Sequence, residues 1–111
     1  MPQLTIRGIA PEQVIAISEA MVQQLADVCG CGTDNFTLDC LQTVSAMDGK
    51  RVDTYPFVEV AWFERGSQTR DLFAETIMKH FLTAGVREVE IAFKVYSQDG
   101  YYINGVRCDK L

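Results

Sequence analysis

The sequence predicts an α+β fold made of two tandem β-α-β units, a four-stranded mixed sheet with two helices on one face. Three observations lead there. Residues 3–9 and 36–44 alternate apolar and polar, and residues 55–63 form the most apolar stretch of the chain. Two segments between strand-like runs carry apolar residues at spacings of three and four. Glycines stand where each of those segments should stop.

In the first strand, Leu4 and Ile6 point one way and Thr5 and Arg7 the other, the period of a half-buried strand. Ala10-Pro11-Glu12 then opens a helix, because proline suits the first helical position and an acid suits the first turn. Val14, Ile17, Met21, Leu25 and Val28 form its apolar stripe, and Gly30 and Gly32 end it. Residues 36–44 are the second strand. Asp48-Gly49 signals a turn, and the polar stretch to Asp53 reads as a loop. Residues 55–63 are the third strand, with Pro56 tolerated only at its start or on an edge. Gly66-Ser67 predicts an N-cap with Ser67 as the capping side chain. Phe73, Ile77 and Phe81 mark the second helix, Lys79 and His80 lie near its C-terminus, and Gly85 closes it. Val89, Ile91, Phe93 and Val95 make the fourth strand. Gln98-Asp99-Gly100 turns, and Tyr101–Ile103 returns as a short hairpin arm before Asn104-Gly105.

The 111 residues fit one domain spanning 1–111. Pro2-Gln3-Leu4-Thr5-Ile6 can be laid over Pro56-Phe57-Val58-Glu59-Val60, which suggests pseudo-repeats over about 2–48 and 55–97. Both helices are apolar on one stripe only, so both pack on one sheet face. The other face mixes Thr5, Arg7, Glu59, Ala61, Ala92 and Tyr96, too apolar to meet water freely, and is expected to be covered by another subunit. Element order alone leaves a ferredoxin-like fold open as the alternative, since it shares the order β-α-β-β-α-β.

With 48% apolar and 23% charged residues the composition is that of a soluble globular protein. A net charge of −5 argues against nucleic acid and anionic membranes as partners. No apolar run approaches the roughly 20 residues of a spanning helix. The first residues, MPQLTIRGIAPEQ, lack a basic segment followed by an apolar one, so a cytoplasmic location is expected. Four cysteines and one histidine do not make a usual zinc set, and neither a metal, a cofactor nor a disulfide is expected.

PQLTIRGI at the start, YPFVEVAWFERG in the middle and DGYYING near the end cover almost the full chain. With them the sequence resembles the tautomerase superfamily of 4-oxalocrotonate tautomerase and macrophage migration inhibitory factor, within an uncharacterised bacterial branch. The resemblance implies a trimer and a catalyst. In active members, removal of the initiator methionine leaves an N-terminal proline, here Pro2. A secondary amine in apolar surroundings loses basicity by desolvation and becomes a neutral base near physiological pH. Family substrates are often 2-oxo acids held by arginines. The arginine at the family's first helix start has no counterpart in Ile9-Ala10-Pro11-Glu12, and its strand-two arginine falls near Thr37. Arg65 and Arg7 are the substitutes, one of them supplied by a neighbouring subunit where needed. Phe57, Trp62 and Tyr55 are the candidate pocket walls, and Tyr55, Tyr101 and Tyr102 candidate donors to an oxyanion.

Each candidate has a plainer reading. Pro2 also suits the start of an edge strand, Arg65 a solvated pair with Glu64, and the aromatic residues a core or an interface. Two functions therefore stand side by side: a proline-dependent tautomerase or isomerase of a small 2-oxo acid, and a non-enzymatic trimer that binds a small molecule or a protein.

Overall fold

A computed structural model describes residues 2–111. Strand β1 (Gln3–Arg7) leads through Gly8 into helix α1 (Pro11–Cys29). The start of α1 is held without a capping hydroxyl. The Ala10 N–H donates to the Gln13 side-chain oxygen at 3.3 Å, and the Gln13 amide donates on to the Ala84 carbonyl at 3.0 Å, tying the start of one helix to the end of the other. The helix ends at Gly30, whose φ of 65° is the left-handed conformation, and the Cys31 N–H closes the turn on the Ala26 carbonyl at 3.1 Å.

Strand β2 (Thr37–Leu41) follows, then a hairpin of β3 (Ser45–Met47) and β4 (Lys50–Val52). Strand β5 (Phe57–Trp62), helix α2 (Ser67–Thr83) and strand β6 (Glu90–Val95) form the second unit, and a second small hairpin, β7 (Tyr102–Ile103) with β8 (Val106–Arg107), ends the chain. The main sheet has the order β2-β1-β5-β6, with β1/β2 and β5/β6 parallel and β1/β5 antiparallel. Each helix thus joins two neighbouring parallel strands. In the ferredoxin-like alternative a third strand splits each such pair, so that alternative is ruled out.

Both helices cover one face. Leu4, Ile6, Val58, Val60 and Trp62 from the sheet meet Val14, Met21 and Leu25 of α1 and Phe73, Ile77 and Phe81 of α2, all nearly or fully buried. Burying each such side chain contributes roughly 1.5–3 kcal/mol. The alternation leaves Thr5, Arg7, Phe57, Glu59, Ala92 and Lys94 on the other face.

Two local expectations need correction. Ser67 is the first helical residue and caps nothing. The N-cap is Gly66, with φ 89°, and the Glu64 carboxylate accepts the N–H groups of Arg65 and Gly66 at 3.0 Å each. The turn expected at Asp48-Gly49 is present (φ 56° and 75°), but the polar stretch after it, expected as loop to Asp53, contains β4, which pairs with β3. Neither small hairpin pairs with the main sheet. They give the chain extents of 48 × 30 × 24 Å and a radius of gyration of 15.2 Å, against about 13 Å for a compact domain of this length.

Candidate functional site

The six candidate residues fall into two groups at opposite ends of the sheet. The strand register explains the division. Gln3 pairs with Ala61 and Arg7 with Phe57 across β1 and β5. Pro2 therefore stands across from Trp62, with Arg65 just beyond, while Arg7, Phe57 and Tyr55 gather at the other end. Five residue steps of strand separate Pro2 from Arg7, roughly 17 Å.

At the first end, the Pro2 carbonyl accepts the Thr37 N–H at 3.2 Å, and the Pro2 ring is fully buried. Trp62 is 1% exposed, edge-on to Phe73 at 5.0 Å and tilted against Phe93 at 4.8 Å. Its indole N–H is buried without a hydrogen-bond partner. Trp62 is thus a core residue. The Arg65 guanidinium lies 5.2 Å from the Trp62 ring and donates to the Phe63 carbonyl at 2.9 Å. It makes no ion pair with Glu64, whose carboxylate holds the loop N–H groups and meets Arg70 at 3.6 Å. Among the described residues the remaining Arg65 N–H donors meet no side-chain acceptor.

Tyr101 completes this end from the far terminus of the chain. Its hydroxyl accepts from the Gln3 side-chain amide at 2.9 Å, and its ring packs edge-on to Phe63 at 5.2 Å and against Tyr96 at 5.4 Å. The tyrosine's own proton stays free to donate. The Cys29 thiol nearby is pushed up to about 11, chiefly by burial, with Arg65 acting in the opposite direction. It stays protonated at neutral pH and is a poor nucleophile. All four cysteines are free, and among the described residues no three His, Cys, Asp or Glu side chains gather as a metal site.

At the second end, the Arg7 guanidinium lies 4.8 Å over the Phe57 ring. Tyr55 is half exposed, and its phenol is held above its ordinary range by desolvation and then by Glu88 and Glu90. Three surface hollows open here, and none of the three touches Pro2. His80 belongs to neither group. It bridges the helices, its Nε2 2.8 Å from Gln24 Oε1.

A four-stranded sheet in which each helix joins adjacent parallel strands is the fold shared with tautomerase and macrophage migration inhibitory factor-like proteins. The chain belongs to the family described as "Domain of unknown function (DUF1904)", whose profile matches residues 1–107. A crystal structure from that family, from Sebaldella termitidis, is similar at 31% identity and a TM-score of 0.87, covering 96% of this chain and 98% of that one. A fused 4-OT asymmetric trimer is similar at 11% identity and a TM-score of 0.79, covering 97% of each chain. The structure of Pt0534 inactivated by 2-oxo-3-pentynoate is similar at 13% identity and a TM-score of 0.75, covering 97% and 96%. At the last two identities the likeness is one of fold. No curated protein matches the chain significantly.

Proposed function

We propose that this chain forms a trimeric, cytoplasmic tautomerase of small 2-oxo acids in which Pro2, freed by removal of Met1, is the general base. The observation that carries this reading is the placing of Pro2 at the head of a central strand, with the carboxylate-free guanidinium of Arg65 at the same end of the sheet. An α-amine titrates near ~8 in water, and the buried surroundings of Pro2 disfavour its cation, so it is neutral at physiological pH. The proline nitrogen takes a proton from the carbon beside the ketone. Charge then develops on the ketone oxygen, where the Tyr101 O–H is the donor, while Arg65 holds the carboxylate. Return of the proton to oxygen gives the enol and restores the amine. In its own protomer Arg7 is too distant to help and reaches a substrate at Pro2 only from a neighbouring subunit.

The trimer is supported by the two hairpin arms, which have no sheet of their own to lie on, and by the fused 4-OT neighbour described as a trimer. A 2-oxo acid is supported by the neighbour inactivated by 2-oxo-3-pentynoate.

One observation favours the second reading, a binding module of the same fold. The Pro2 ring is buried, whereas three hollows of the single chain lie at the Arg7 end. Intact mass of the protein from its native host, followed by deuterium exchange of phenylpyruvate, separates the two. An exposed proline terminus with exchange supports the enzyme; the same terminus with no exchange supports the binding module.

A further inference from the structure

The Arg7 end carries a site of its own. A hollow of about 400 Å³ is lined by Arg7, Thr43, Val44, Ser45, Thr54 and Tyr55. Among the described residues Arg7 is its only ionised lining group, and Glu88 and Glu90 lie near the phenol end of Tyr55. The guanidinium lies over the Phe57 ring at 4.8 Å, so Arg7 borders both this hollow and the next one on the sheet face, which it lines with Phe57 and Glu59; among the described residues it pairs with no carboxylate. Its N–H donors are uncommitted.

The hydroxyls beside it are also under-used. Thr54 Oγ1 lies 2.6 Å from Thr43 Oγ1 and 2.7 Å from Ser45 Oγ. Three hydroxyls bring three protons, and two contacts use two of them. The third has no acceptor within the cluster and is left for a ligand. Val44, 71% exposed, and the half-exposed Tyr55 ring provide an apolar wall on the same hollow. Gly8 keeps the arrangement tight: a Cβ there would stand 2.6 Å from the Thr54 and Tyr55 carbonyl oxygens, so only glycine lets the end of β1 approach this segment.

We propose that this hollow binds a small carboxylate with an apolar tail, the carboxylate on Arg7 and the Thr43–Thr54–Ser45 hydroxyls, the tail against Val44 and Tyr55. A planar carboxylate matches the guanidinium fork, and the spare hydroxyl proton takes a lone pair that the fork leaves open. The site is built within one chain and does not require Pro2 to be a base.

Phenylacetate is the probe, because it has the carboxylate and the apolar tail but no ketone to tautomerise. Titration of the full chain, followed by amide NMR, should saturate and move the signals of Arg7, Thr43, Ser45 and Thr54. R7Q should weaken binding about tenfold or more, the scale of a charge-assisted contact, while R7K retains part of it. T54V, which keeps the shape and removes the central hydroxyl, should weaken it about threefold to tenfold. K79Q, which removes a charge from an exposed position on α2, should leave it unchanged. No saturation at millimolar phenylacetate, shifts confined to the Pro2 and Arg65 end, or equal affinity in a folded R7Q would overturn the site. Inorganic phosphate binding tighter than phenylacetate would overturn the assignment to a carboxylate with a tail. Phenylpyruvate exchange is read separately, so a failure of catalysis at Pro2 leaves this result standing, and the reverse.

Discussion

Gln3 and Tyr101 are 98 residues apart in sequence and joined at 2.9 Å, the glutamine amide donating to the phenol oxygen. The bond pins the C-terminal arm over the end of β1 where Pro2 lies. The bond brings Tyr101 to the Pro2 end of the sheet, beside Phe63 and Tyr96.

Tyr101→Phe should therefore cost about 1 kcal/mol, the usual net worth of one hydrogen bond, because the ring contacts with Phe63 and Tyr96 remain. Tyr101→Ala should cost more and loosen the arm. Urea unfolding reads the first effect, and faster amide hydrogen exchange in residues 101–107 reads the second. Equal exchange in wild type and Tyr101→Ala would mean that the contact does not hold the arm.

Gly8 and Gly30 both have positive φ, at 78° and 65°, and invite a comparison. A Cβ on Gly30 meets nothing within 4 Å, whereas one on Gly8 collides with the Thr54 and Tyr55 backbone. Gly30→Ala should cost about 1 kcal/mol, the conformational penalty alone. Gly8→Ala adds a backbone clash and should cost about 3 kcal/mol or more. Thermal unfolding of the two variants side by side tests the difference in order. Similar losses would show that the β1 end has room to move away.

Much of this fold is legible in the sequence, and the reasons are local. Leu4 and Ile6 alternate cleanly because one side of β1 is wholly buried, and the α1 stripe from Val14 to Leu25 is clear because one side of the helix is. Of the hairpin at 45–52 only the turn was legible, in Asp48-Gly49; its strands were not. Lys50, Arg51 and Val52 are all exposed, so no buried face imposes a period. Strand order was beyond periodicity for the same reason that it decides the fold: a strand's pattern records which face is buried, not which strand lies beside it. At the candidate site, the residue types were readable, but their division between two ends depends on the β1/β5 register. The Gln3–Tyr101 contact left no signal, since nothing in a two-residue strand names its distant partner.

His80 gives a pH dependence whose sign follows from its surroundings. Burial first, and then Lys79, hold its pKa below the ordinary histidine value. The unfolded chain, with His80 near ~6.5, binds its proton before the folded chain does. The contribution is thus fully present above about pH 6.5 and is lost as pH falls through the unfolded value towards the folded one. His80→Gln removes this proton uptake and should flatten the fall of stability between about pH 7 and pH 5 relative to wild type. Parallel stability curves for the two proteins across that window would mean that His80 titrates alike in both states.

Catalysis at Pro2 depends first on a bond that must be absent. While Met1 is attached, the Pro2 nitrogen is an amide and accepts no proton, so a protein with retained methionine should show no more phenylpyruvate exchange than buffer. Once Met1 is removed, Pro2→Ala should lower kcat by about a hundredfold or more, the scale of a general base, without abolishing exchange, since alanine leaves a primary amine at the same terminus. Arg65→Gln should act differently. A clamp on the substrate carboxylate binds the ground and transition states alike, so its loss should raise KM and leave kcat nearly unchanged. Tyr101→Phe should lower kcat, because the phenol proton meets charge that exists only as the enolate forms. Its stability loss is small enough to keep the two effects apart. Three variants with three different signatures distinguish site chemistry from background enolisation. Identical rates in all three, with a verified proline terminus, would show that exchange takes place elsewhere and leave the binding module as the reading for this fold.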